Sequence, residues 1–201
     1  MVINYLGNGS FKLQSGETSL LVNPESNRFK ADIILRTLVS AEQLKANDSL
    51  DKLGAGGFAE QNDIYFSGEY EVKGIEVSGI PVPEESTDKF IKTVYLVNWE
   101  EMQFAFLGHI SKPLSAEIMD ALDEPDVLVL PTGGGHFLEA VAAAKIAKQL
   151  EPSFIIPTFY KSPAEFLKVM GQKGETQEKL VFKKKDLEDT KNKVVVLEVK
   201  S

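Results

Sequence analysis

The chain has 201 residues, 43% of them hydrophobic and 26% charged, an ordinary composition for one globular domain. Its 22 Lys and Arg residues stand against 30 Asp and Glu, a net charge of −8, which argues against nucleic-acid binding because such binding depends on basic surface. The absence of cysteine excludes disulfides and thiolate chemistry. No apolar run approaches the roughly 18–20 residues of a membrane span, and residues 1–6 lack a signal-peptide pattern. We therefore expect a cytoplasmic protein without a membrane partner.

The first half of the chain predicts short strands joined by turns. Residues 11–14 alternate between apolar and polar side chains, residues 15–18 supply a turn, and residues 19–22 resume a strand. Residues 33–35 form a continuous apolar run, as expected for a strand covered on both faces. Further strands are predicted at residues 63–66, 71–72, 75–77, 93–97 and 103–107.

After residue 110 the pattern changes to alternating helices and strands. Ser115 is a predicted N-cap for a helix that runs to Leu122, and residues 137–150 predict a second helix with an apolar stripe. That stripe consists of Leu138, Ala142, Ile146 and Leu150. A third helix is predicted at residues 163–170, and strands at residues 127–130, 154–156 and 194–199. Without a linker or an internal repeat, residues 1–201 predict a single domain of mixed α/β (α+β) type.

Several strings, in this order, resemble the metallo-β-lactamase superfamily, and within it the L-ascorbate-6-phosphate-lactonase-like branch of metal-dependent hydrolases. The strings that carry the resemblance lie at residues 5–11, 23–24, 31–35, 67–72, 107–108, 126–131, 149–152 and 155–157. Together they span essentially the whole chain. The resemblance implies a four-layer αββα sandwich of metallo-β-lactamase type.

The family's chemistry needs imidazole and carboxylate ligands that hold one or two metal ions and activate a water molecule. The resemblance implies that its main ligand motif, three histidines and an aspartate, follows the strand at residues 33–35. Those positions hold Leu38, Ser40, Glu42 and Gln43. Leucine has no lone pair, and neutral Ser and Gln oxygens are poor zinc ligands.

The other implied ligand positions are altered as well. They hold Asn8, Glu84, His109 and Phe159, with the register near Pro83 and Glu84 open by one residue. The chain has two histidines in total, whereas a zinc hydrolase needs about three protein ligands in one place. We therefore expect the inherited metal site to be lost and no metal cofactor to be bound.

Three candidate sites carry both a functional and a structural interpretation. His109 is a weak candidate for a general base or a metal ligand, or it fills a vacated polar pocket. Gly134 and His136 belong to a glycine-rich loop that suits an anion, or merely a strand-to-helix turn. Glu42, Glu84 and Glu85 could hold a hard cation, or lie solvated on loops.

Three hypotheses about function remain open. The first is a non-catalytic scaffold that binds an unknown small molecule or a protein partner. The second is a hydrolase, of phosphodiester or lactone type, with a relocated or single-metal zinc or manganese site around His109. The third is a subunit whose former pocket has become plain core, with Leu38 and Phe159 filling it. Fold does not decide among them, and a homo-oligomer is compatible with each.

Overall fold

The structure is a computed structural model that describes residues 1–26, 28–43, 58–59, 63–174 and 176–200. Its strands are β1 (Val2–Gly7), β2 (Ser10–Ser15), β3 (Thr18–Val22), β4 (Ile33–Leu35), β5 (Leu38–Ser40), β6 (Phe58–Ala59), β7 (Asp63–Ile64), β8 (Gly68–Val72), β9 (Ile75–Pro81), β10 (Phe90–Trp99), β11 (Met102–Phe106), β12 (Val127–Pro131), β13 (Phe154–Thr158), β14 (Thr176–Gln177), β15 (Leu180–Val181), β16 (Lys193–Val194) and β17 (Val196–Leu197). The helices are α1 (Ala116–Leu122), α2 (Ala140–Leu150) and α3 (Ala164–Met170), and short 3-10 helices cover Pro83–Glu85 and Lys184–Asp186.

The strands form two large sheets. The first has seven strands in the order β15-β1-β2-β3-β4-β7-β6, and the second has eight, with the order β16-β13-β12-β11-β10-β9-β8 and β5 paired with β10. Strands β14 and β17 make a small parallel sheet. Strands β11, β12, β13 and β16 are mutually parallel, so the loops that follow their carboxyl ends meet at one edge of the second sheet.

One hydrophobic core lies between the two sheets. It combines inward residues of the first sheet, such as Phe11 and Ile33, with those of the second sheet, such as Tyr95, Phe104 and Val129. Each of these side chains is at most 3% exposed. Alternate residues of each strand supply this core because successive strand side chains point to opposite faces. The face-to-face arrangement of two sheets confirms the sequence prediction.

A second core lies between the outer face of the second sheet and the helices. Ile118 of α1, Ala143 of α2 and Phe166 of α3 pack with Leu128 and Ile155 of the sheet. Ser115 caps α1 as predicted, since its hydroxyl accepts a hydrogen bond from the backbone N–H of Ile118 at 3.4 Å. Two facing sheets with helices packed on the second sheet are thus present, as predicted.

Two predicted element boundaries are wrong. The second helix begins at Ala140 and not at residue 137, because the backbone N–H of Leu138 bonds to the carbonyl of Ile110 at 3.2 Å and holds this stretch in a loop. The buried face of α2 includes Ala143 and Ala147, whereas Ala142 is only partly buried.

No helix in the described part of the chain is long and apolar enough to cross a membrane.

The predicted final strand at residues 194–199 is also wrong as a single element. Val194 pairs with Ile155 of β13, whereas Val196 and Leu197 pair with β14. The chain therefore leaves the second sheet at Val195, whose N–H still bonds to the Ile155 carbonyl at 2.8 Å. Continuous apolar character cannot reveal such a change of partner, because both halves are buried.

Candidate functional site

Five of the candidate residues gather where the parallel strands of the second sheet end. His109 follows β11, the loop with Gly134 and His136 follows β12, and Phe159 directly follows β13. The turn between β1 and β2 brings Asn8 to the same place, where it lines a cleft with the loops after β12 and β13. In sheets of this kind, ligands bind outside the carboxyl ends of parallel strands.

His109 is held by a polar network from the first sheet. Its Nδ1 lies 2.9 Å from the Thr37 hydroxyl oxygen, and Asn23 contacts the same hydroxyl through its side-chain amide at 2.9 Å. Asn23 also accepts a hydrogen bond from the Thr37 backbone N–H at 2.8 Å. These bonds fix the imidazole ring and engage one of its two nitrogens.

Two aromatic rings, those of Phe137 and Phe159, contact this imidazole. The ring of Phe159 lies 4.7 Å from that of His109, and the two phenylalanines Phe137 and Phe159 stack with centroids 4.2 Å apart and an interplanar angle of 14°. Phe137 lies 6.2 Å from His109. The position implied for a histidine ligand is thus occupied by a ring that covers the imidazole.

Burial, together with a smaller effect of the positive charge of Lys92, lowers the pKa of His109 to about 4. The imidazole is consequently neutral across the physiological range. A neutral imidazole can accept or donate one hydrogen bond, but it contributes no charge to a bound anion.

Phe159 has a strained backbone with a φ of 54°, which is uncommon for a bulky residue. Two glycines make room for it. A Cβ on Gly133 would lie 1.8 Å from the Phe159 carbonyl oxygen, and one on Gly9 would lie 2.0 Å from Cζ of its ring. The close contact with Gly9 and the stack on Phe137 hold the ring in one orientation, and such strain is typical of functional sites.

An open cleft of about 530 Å³ lies beside this aromatic stack. Its walls are formed by Tyr5, Asn8, Gly133, Gly134, Gly135, His136, Phe137, Phe159, Tyr160 and Lys161. The cleft has the size of a small-molecule site. Asn8, Gly134, His136 and Phe159 were among the candidates from the sequence, and the structure brings these four together.

The remaining candidates lie elsewhere. Among the described residues, Leu38, Ser40, Glu42, Gln43 and Glu84 do not line the cleft. Ser40 and Gln43 bond to each other, since the Ser40 N–H donates to Gln43 Oε1 at 2.9 Å and the Gln43 N–H donates to Ser40 Oγ at 3.2 Å. Glu42 and Glu84 are exposed, which agrees with their structural interpretation.

Leu38 lies outside the lining of the cleft. It is half-buried on β5 opposite Lys92 of β10. The predicted contact between His109 and Phe159 is present, whereas the participation of Leu38 in closing the pocket stays a prediction.

For Glu85 the interpretation as a solvated loop residue is wrong, because its side chain lies in a buried ion pair next to the exposed Glu84. The side chain of Glu85 is 4% exposed and bonds to the Lys92 ammonium at 2.7 Å. It also accepts hydrogen bonds from the Ser111 N–H and hydroxyl and from the Lys112 N–H, at 2.7–2.9 Å. Burial by itself would raise the pKa of Glu85, but these partners outweigh it and lower the pKa.

This cluster ties the Pro83–Glu85 helix to the loop that follows His109. Nothing in the residue types at 84 and 85 distinguishes the exposed glutamate from the buried one. Only the position of the loop at residues 111–112 does so.

The described residues do not fit the metal that the fold family implies. No group of three or more His, Cys, Asp or Glu side chains that could hold a metal ion occurs among the described residues. At the implied ligand positions, Leu38 and Phe159 offer no donor atom and Ser40 and Gln43 bond to each other. His109 does have donor atoms, but its Nδ1 shares a hydrogen bond with the Thr37 hydroxyl.

Comparison with known proteins gives a consistent family. The β-lactamase superfamily domain matches residues 2–159. A Methanopyrus kandleri protein named a metal-dependent hydrolase is 22% identical over 87% of this chain and 93% of its own length. These names point toward a metal, so the expectation of no cofactor stays a prediction.

Solved structures show the same fold. A Thermotoga maritima protein of the metallo-β-lactamase superfamily superposes with a TM-score of 0.78 at 22% identity, covering 99% of both chains. Igni18, a metallo hydrolase from Ignicoccus hospitalis, gives a TM-score of 0.64 at 20% identity, covering 90% of this chain and 99% of its own. Since the superfamily domain matches most of the sequence, the chain belongs to the β-lactamase superfamily and has the metallo-β-lactamase fold.

Proposed function

We propose that this chain is a non-catalytic member of its superfamily that binds a small ligand in the cleft beside Phe159. One observation carries the proposal: the Phe159 ring stands at an implied ligand position and covers the His109 imidazole at 4.7 Å. A phenyl ring supplies no lone pair for a metal and shields the neighbouring imidazole from water. The remaining space is suited to binding rather than to metal-assisted hydrolysis.

The open cleft supports binding over a pocket that has become plain core. Plain core would be filled to the density of a protein interior, whereas about 530 Å³ stays open between the β12 and β13 loops. Its lining combines aromatic faces with a few polar groups, the usual composition of a small-molecule site. Protein binding at this concave site has less support, because stable protein interfaces are much larger.

The alternative is a metal-dependent hydrolase with a relocated or single-metal site around His109. The names of the relatives support this alternative better than they support a scaffold. In this chain such a site would have to recruit His109 with Glu42, Glu84 or His136. These three residues, Glu42, Glu84 and His136, are all exposed. The names of the two relatives do not indicate a substrate for this chain.

Isothermal titration calorimetry of the purified, chelator-treated protein with Zn²⁺ and Mn²⁺ distinguishes the non-catalytic scaffold from the hydrolase. The scaffold predicts no stoichiometric metal binding, and no turnover of phosphodiester or lactone substrates with either ion present. His109→Ala is the matched variant. Stoichiometric binding and turnover that both disappear in His109→Ala would establish the hydrolase instead.

A further inference from the structure

We infer that the cleft takes a flat aromatic ligand that carries an anionic group. This inference rests on the proposed binding function and names the chemical class of its ligand. It follows from three features of the lining: a rigid aromatic face, a wall without carboxylates, and neutral phenol donors.

The aromatic face is formed by the stacked rings of Phe137 and Phe159, with an interplanar angle of 14°. His109 supports Phe159 from behind, and Gly9 contacts the edge of its ring. Because these contacts fix the ring orientation before a ligand binds, little side-chain entropy is lost on binding. Aromatic rings prefer offset or tilted partners at this separation, so a planar ligand can extend the stack.

The charge of the lining points to an anion. Among the described residues that line the cleft are His136 and Lys161, and no Asp or Glu. The chain as a whole, by comparison, carries 30 acidic residues and a net charge of −8. Both His136 and Lys161 are exposed, so their side chains can reach a ligand at the mouth of the cleft.

Two exposed carboxylates, those of Glu25 and Glu139, lie next to residues of the lining. Glu25 accepts a hydrogen bond from the Asn8 side-chain amide at 2.8 Å. Glu139 lies against Gly134, where its carboxylate would be 2.9 Å from an added Cβ. Neither belongs to the cleft wall, so the surface offered to a ligand stays free of acidic groups.

The phenols of Tyr5 and Tyr160 also line the cleft and supply donors. Burial, with a smaller contribution from the neighbouring Tyr5, raises the pKa of Tyr160 to about 12. The Tyr160 hydroxyl therefore stays protonated and can donate a hydrogen bond to an anion. The Tyr5 oxygen accepts a hydrogen bond from Thr158 at 3.5 Å, which leaves its own proton for another acceptor. Protonated donors and a lysine favour a carboxylate or a phosphate over a cation.

The test uses three matched probes with the full-length protein. The probe 2-naphthoate has both the flat rings and the charge, 2-naphthamide has the rings alone, and cyclohexanecarboxylate has the charge alone. Titration calorimetry should show 2-naphthoate binding roughly tenfold more tightly than either partner probe, the effect of one charge-assisted hydrogen bond or one aromatic contact.

Two variants test which residues of the cleft produce this difference in affinity. Lys161→Gln should weaken 2-naphthoate several-fold and leave 2-naphthamide unchanged, and Phe137→Leu should weaken both naphthyl probes. Lys145→Gln, which removes an exposed charge on α2 away from the cleft, is the control and should change nothing. If Phe137→Leu loses its fold, the Lys161 pair alone decides the outcome.

The outcomes separate this inference from the proposed function. Equal affinity for all three probes, no binding of any probe, or no change in Lys161→Gln would overturn the ligand class. Those results leave the metal titration with Zn²⁺ and Mn²⁺ as the independent test of the non-catalytic scaffold.

Discussion

The hydroxyl oxygen of Thr37 lies 2.9 Å from Nδ1 of His109, although 72 residues separate the two in the chain. Thr37 lies between β4 and β5, whereas His109 follows β11 of the second sheet. This contact therefore joins the two halves of the fold at the point where the family holds its metal. It anchors a neutral imidazole in a place that the resemblance implies for an aspartate.

Stability should fall with decreasing pH because of His109. Its pKa is lowered from an ordinary value of 6.5 to about 4 in the folded protein, by burial and then by Lys92. Between these values the unfolded chain binds a proton that the folded chain does not, so the free energy of unfolding decreases as pH falls from about 6.5 to about 4. The loss should reach roughly 2–3 kcal/mol.

Chemical denaturation of the wild type and His109→Gln across this pH range measures the effect. The difference in unfolding free energy between them should shrink as pH falls through the window, because glutamine does not titrate. A difference that stays constant from pH 7 to pH 4 would show that the imidazole is not buried as described.

Replacing Phe159 with His should destabilise the protein without creating a metal site. The substitution removes a stacked ring and part of its burial, which should lower the free energy of unfolding by about 1–3 kcal/mol. One added imidazole next to His109 still leaves too few ligands for zinc. Denaturation and a Zn²⁺ titration of Phe159→His check both parts, with Phe159→Leu as the control for lost aromaticity. Tight zinc binding by Phe159→His would disprove this description of the pocket.

Glu85 and Glu84 should differ sharply despite being neighbours. Glu85→Gln leaves the Lys92 ammonium without its partner in a largely buried position, and should cost about 2–4 kcal/mol of unfolding free energy. Glu84→Gln changes an exposed side chain and should stay within about 0.5 kcal/mol of wild type. Thermal and urea unfolding compare the two at neutral pH. Similar losses in both variants would mean that the Glu85 cluster does not connect its two loops.

Hydrophobic patterning was sufficient to predict most of the strands and helices, whereas the sandwich of two sheets was implied by the family resemblance. Apolar runs located the buried strands, and Ser115 located the start of α1 because a hydroxyl cap acts within one turn. The pattern failed where tertiary contacts override it. Leu138 lies outside α2 because its N–H bonds to Ile110, and Val195 marks a change of strand partner that an apolar run cannot express.

The site was less predictable than the fold. The family resemblance identified altered ligand positions such as Leu38 and Phe159, because the absence of a donor atom is visible in the residue type. It could not identify Lys161 or Tyr160 as part of the same cleft, since their role depends on which loops meet. Nor could it tell that Glu85, and not Glu84, is buried, because both are the same residue in adjacent positions.

The central claim is that this chain has kept the fold and lost the metal site of its family. Elemental analysis of protein purified without an affinity tag or chelator tests it most directly. We predict zinc, manganese and iron far below one equivalent per chain, with no difference between wild type and His109→Ala. One equivalent of any of these metals in the wild type, absent from His109→Ala, would contradict the account and establish a relocated metal site.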